Sequence, residues 1–175
     1  MQARTAVGFT LLEALIAISV LVTLIVIGLP SFNGMIERQR VSSAAHVLST
    51  HFAAARSTAV SQRLPVTVCP SDDGLRCRET GDWTQGWILY RDPTRAPQPA
   101  ATTAVLRWEH RPATGRIHLT SSAGRPLLRF LPDGRSAGTN LRVRICSGTH
   151  LMAEVVVNNQ GRVRSSRKPG ELPCS

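Results

Sequence analysis

Seven positions late in the chain put anion-holding chemistry at short spacing: Arg142, Arg144, Gly161, Arg162, Arg164, Arg167 and Lys168. Arg142 and Arg144 are two apart, as are Arg162 and Arg164, so on strands each pair projects from one face at about 6.6 Å spacing. Forked guanidinium groups match phosphate oxygens, and glycine at 161 permits a turn where a phosphate can approach the backbone. The same pattern can simply solvate the outer face of a sheet, so the charge distribution has to weigh in. From Phe9 to His110, nine basic residues face eight acids; from Arg111 onward, eleven basic residues face only Asp133, Glu154 and Glu171. The net charge of +10 therefore gathers toward the C-terminus, where it favours nucleic acid, anionic lipid or an acidic protein. No base-reading helix or aromatic platform is evident, so binding to nucleic acid is expected to ignore sequence and to respond to salt.

Groups for catalysis do not assemble. His46 and His51 are five apart rather than at metal-binding i,i+4 spacing, and His110, His118 and His150 lack a recognisable nucleophile or acid partner. Asp72-Asp73-Gly74 reads as a turn without the remaining ligands of a calcium loop. The expectation is a binding or structural module, not an enzyme, with no cofactor and no metal.

A lone carboxylate stands out at the other end. Phe9–Leu29 is almost wholly apolar, about 21 residues, and long enough to span a bilayer as a helix. Glu13 lies inside it, at an insertion cost of about 2.5–3.5 kcal/mol, and so calls for a partner. The small residue Gly8 precedes the apolar run instead of following it, unlike a secretory signal. Cleavage after Gly8 would leave the helix in place and create an α-amino group on Phe9, one turn from Glu13 or on a neighbouring subunit.

The run GFTLLEALIAISVLVTLIVIGLP is similar to the leader junction of type IV pilins and type II secretion pseudopilins. The resemblance implies a prepilin peptidase that cuts between Gly8 and Phe9 and N-methylates Phe9. It also implies an assembly role for Glu13 and a helix kink at Pro30. The expected location is the inner membrane, single-pass with a periplasmic domain, and then a pilus or pseudopilus.

The elements that position these groups follow from periodicity. Val41, Ala44, Ala45, Leu48, Phe52, Ala55 and Ala59 recur at three- and four-residue spacing, a narrow stripe suited to lying on a sheet, and Leu64-Pro65 ends the helix. Strands are expected at Val66–Cys69, Trp87–Tyr90, Val105–Trp108, Arg116–Leu119, Leu127–Leu131, Leu141–Cys146, Ala153–Val157 and Arg162–Arg164. Pro132-Asp133-Gly134 and Asn158-Asn159-Gln160-Gly161 read as turns, and Arg91–Thr103 as an exposed loop. The fold class is α+β, a type IV pilin-like fold with a long helix on antiparallel sheets. It divides into leader 1–8, transmembrane or filament-core helix 9–30, amphipathic helix 31–64 and β domain 65–175. Aromatic content of 5% suggests an aliphatic core.

A domain outside the inner membrane favours disulfides, and Cys69, Cys77, Cys146 and Cys174 allow three connectivities. Cys69–Cys77 with Cys146–Cys174 is preferred: the first closes a short loop, and the second ties the tail to a strand. Zinc is the rival use, but no C-x-x-C occurs and the spacings do not suit it.

Phe130-Leu131-Pro132-Asp133-Gly134-Arg135, the strand to Cys146, Val155-Val156-Val157, Gly161-Arg162-Val163-Arg164, Trp83…Gly86-Trp87-Ile88 and Asp92 together resemble the GspH/FimT family of minor pilins and pseudopilins. FimT-type members with a Gly-Arg-x-Arg signature are associated with DNA capture in natural transformation, which would fall on Gly161, Arg162 and Arg164. The implied partners are other major and minor pilins, the prepilin peptidase, the inner-membrane assembly platform and DNA. Alternatives are a minor pilin for pilus assembly without DNA binding, or a type II secretion pseudopilin of the H type.

Overall fold

The computed structural model describes residues 10–112, 115–167 and 173–174, without the side chains of 28–31 and 33. Gly8, Phe9 and Lys168 lie outside the described residues. Helix α1 runs Leu11–Gln62. Thr10 caps it, accepting from the Glu13 N–H at 3.2 Å through Oγ1, the acceptor half of a capping box that Thr10-Leu11-Leu12-Glu13 spells out. The helix ends where Arg63 turns to a positive φ of 52°, two residues before Pro65.

The chain divides into two compact units, Met1–Glu37 and Arg38–Ser175. In the first, every side chain from Leu11 to Ile27 is exposed. Among the described residues no helix is long and apolar enough to cross a membrane; of the expected span 9–30, Phe9 lies outside them and 28–30 are described without side chains.

Among the described residues of the second unit eight strands follow: β1 Val66–Pro70, β2 Gly86–Arg91, β3 Val105–His110, β4 Ile117–Ser121, β5 Leu128–Phe130, β6 Leu141–Ser147, β7 His150–Val157 and β8 Val163–Arg167. They form two antiparallel four-stranded sheets, ordered β3-β2-β1-β5 and β4-β6-β7-β8. The seven-residue stripe of α1 is buried against both sheets in one core. That core is mostly aliphatic, as expected, but its largest members are aromatic: Trp83, Trp87, Phe52 and Phe130 are fully buried in it. These four rings sit at the centre, where one large ring closes more of the space between helix and sheet than a small aliphatic side chain, whereas Phe32 and Trp108 are exposed.

The two sheets differ in how they are covered. The face of β1–β2 away from α1 carries Cys69, Ile88 and Tyr90, packed with Cys77, Val105 and Leu127. The Cys69–Cys77 disulfide (Cα–Cα 5.5 Å) holds the loop that covers this face. The loop after β2 is not merely exposed: Gln98 accepts from the Cys77 N–H at 2.8 Å and donates to the Cys77 carbonyl at 2.9 Å, binding the two loops together. The second sheet is covered by α1 on one face only. On β6, Leu141, Val143 and Ile145 are buried, Arg142 is exposed and Arg144 half-buried. Cys146–Cys174 (Cα–Cα 6.1 Å) and a bridge between His150 and Pro173 bring the tail back to the β6–β7 end.

Candidate functional site

Register decides which arginines share a surface. Across the open face of the second sheet, Arg142, Val156 and Arg164 form one row and Thr120, Arg144, Glu154 and Ser166 the next. With strands about 4.8 Å apart, Arg142 and Arg164 stand roughly 10 Å from each other across Val156. Arg142 Nη1 lies 3.5 Å from Oε1 of the buried Glu154, so part of its charge is spent inside the sheet.

Arg167 departs from the expected cluster. It pairs with the buried Ala153, which turns it to the helix side, and its Nη2 donates to Ser42 Oγ at 3.2 Å. Arg162 also differs: β8 begins at Val163, one residue later than expected, leaving Arg162 in the turn. Its N–H donates to Asn158 Oδ1 at 2.9 Å, and the Gly161 N–H donates to the Asn158 carbonyl at 2.8 Å. Strand alternation therefore does not tie Arg162 to Arg164. Among the described residues, neither guanidinium has a protein partner, and both residues are exposed.

Gly161 is buried, with φ +73°, and the Cβ it lacks would strike the carbonyl oxygen of Gly134. Packing of the 158–162 turn on the Leu131–Gly134 turn is thus enough to demand glycine at 161. Sequence reasoning missed Arg56. From α1 its Nε donates to the same Gly134 carbonyl at 2.9 Å, and its guanidinium lies over both glycines. Contacts 78 residues apart along the chain leave no local signature.

The histidines have structural explanations where they are buried. Trp87 Nε1 donates to His51 Nδ1 at 2.8 Å, which places the imidazole proton on Nε2, 3.8 Å from Glu109 Oε2. Burial, the largest cause, holds the His51 pKa below its usual value despite Glu109. The unfolded chain therefore takes up this proton first, near pH 6.5, and folding stability should fall as pH drops below that value, levelling off once folded His51 protonates. Thermal unfolding from pH 8 to 5 should show this fall. A His51→Gln variant, whose amide oxygen can still accept from Trp87, should show a shallower one; an equal slope in both would rule His51 out.

Residues 44–161 match the family described as Type II transport protein GspH. The chain belongs to the GspH family. Its fold is shared with the type IV minor pilin FimU of Pseudomonas aeruginosa, at 22% identity over 79% of this chain and 96% of FimU, with a TM-score of 0.60. The minor pseudopilin EpsH from the Type 2 Secretion System of Vibrio cholerae is similar at 14% identity, over 75% of this chain and 99% of EpsH, with a TM-score of 0.51. No curated protein gives a significant sequence match. The GspH match ends at Gly161, so Arg162 and all of β8, Arg164 included, lie beyond the matched region.

Proposed function

We propose that this GspH-family chain is a FimT-like minor pilin that enters or primes a type IV pilus and holds DNA, without sequence preference, during natural transformation. The observation that carries the DNA reading is the pair of exposed guanidiniums at Arg162 and Arg164, without a partner among the described residues, beside a face that also presents Arg142. Removal of the leader at Gly8–Phe9, N-methylation of Phe9 and use of Glu13 in assembly belong to the same proposal. They are supported by the wholly exposed apolar segment Leu11–Ile27, which needs lipid before assembly and neighbouring helices after it.

Replacing both Arg162 and Arg164 with Gln should weaken duplex DNA binding roughly tenfold or more at moderate salt and lower the salt slope by about 1.8. Affinity and slope unchanged from wild type would remove these residues from the site. The alternative of an H-type pseudopilin in secretion rests on the family's description as a type II transport protein. Loss of protein export on deletion, with pili and DNA uptake intact, would favour it.

A further inference from the structure

We infer that Arg56 of α1 and Arg162 of the 158–162 turn form the two sides of one phosphodiester seat. A groove of about 580 Å³ runs between helix and turn, lined by Arg56, Ser57, Val60, Ser61, Gly161 and Arg162 among others, with no carboxylate among its lining residues. Ser57 adds a hydroxyl to the groove, while that of Ser61, one turn on, already donates to the Thr58 carbonyl at 3.2 Å.

Arg56 is oriented. Its Nε–H is committed to the Gly134 carbonyl, while its Nη groups have no protein partner among the described residues. A guanidinium held at one N–H and open at the others is set for the forked contact that a phosphate offers. Gly134 and Gly161 make this possible, because a Cβ on either would come within 3.2 Å of Arg56 Nε. Arg162 has no such anchor and would close on the anion from the turn.

Phosphodiesters occur in DNA and in lipid headgroups. β8 is the edge strand of its sheet, so positive charge passes from the groove round that edge to Arg164 on the open face, which favours an extended strand of DNA. The choice of DNA rests on the proposed function, whereas the seat itself does not.

The test uses the full chain in detergent, with a short single-stranded oligonucleotide, inorganic phosphate and the water-soluble lipid headgroup glycerophosphoglycerol as separate probes. Arg56→Gln should weaken oligonucleotide binding about fivefold to tenfold, and by less once Arg162 is already Gln, since both would serve one phosphate. Ser57→Asp, which leaves the Arg56–Gly134 contact intact, should produce a similar loss and guards against a folding defect. If both variants bind like wild type while Arg162→Gln/Arg164→Gln loses affinity, the seat is wrong and the proposed function stands. Phosphate-induced amide shifts at Gly161 and Arg162 that vanish in Arg56→Gln, without oligonucleotide binding, would support the seat and overturn the DNA reading. Binding of the headgroup that is lost in Arg56→Gln would then assign the lipid source. No response to any probe would overturn both.

Discussion

Asp92→Ala should destabilise the folded domain by about 3–5 kcal/mol, the cost of leaving a buried ion pair half-made. Asp92 is 2% exposed, and its carboxylate is fully engaged. Oδ2 accepts from Arg129 Nε at 2.6 Å and from Thr67 Oγ1 at 2.7 Å, and Oδ1 accepts from the Ala96 N–H at 2.7 Å. Arg129 Nη2 and the Tyr90 hydroxyl each reach the Ala96 carbonyl at 3.0 Å, so one carboxylate ties β1, β2, β5 and the following loop together. Burial, with Asp92 nearby, pushes the Tyr90 phenol up to about 12, so it stays a hydrogen-bond donor at any physiological pH. Alanine would leave Arg129 without its counter-charge in a site 17% exposed. Urea unfolding followed by tryptophan fluorescence measures the loss, and a cost under about 1 kcal/mol would show that the network does not hold the sheet. Asp92→Asn keeps the acceptor oxygen but not the charge and should fall between.

Gly161→Ala should cost about 2–4 kcal/mol and should also disturb the groove. Two effects add: the positive φ penalises any Cβ by roughly 1–2 kcal/mol, and the collision with the Gly134 carbonyl must displace a turn that Arg56 is hydrogen-bonded to. Gly124→Ala separates them. Gly124 has nearly the same φ, +74°, with nothing within 4 Å of the missing Cβ, so it should lose only the conformational part. Equal losses in the two variants, measured by thermal unfolding, would mean the turns can separate freely. A larger loss at 161, with weakened oligonucleotide binding, would join packing to function.

Much of the fold was legible because it follows local periodicity. All seven stripe residues from Val41 to Ala59 are buried, and each of the eight expected strands is present with ends shifted by a few residues. The expected disulfide partners are joined. Less visible were properties that depend on pairing between distant segments. Alternation puts Arg142 and Arg144 on one face, but only the β6–β7 register sets Glu154 opposite Arg144 and within reach of Arg142. The same register sends Arg167 to the helix side, while a one-residue shift in where β8 starts releases Arg162 from the strand.

Glu13 and the seven late residues were conspicuous from the start by charge and spacing alone. By itself the sequence determined element types, the disulfide-bearing α+β class and the basic C-terminal bias, since these depend on residue type and short-range period. The tertiary structure decided how that charge is used: Arg142 against Glu154, Arg167 against Ser42, Arg162 and Arg164 without a partner among the described residues. It also gave the glycine at 161 a packing reason of its own and brought in Arg56, 78 residues away from Gly134 along the chain. The physical reason is that a guanidinium's availability depends on which carboxylate, hydroxyl or carbonyl the folded chain places beside it, and those neighbours are remote in sequence.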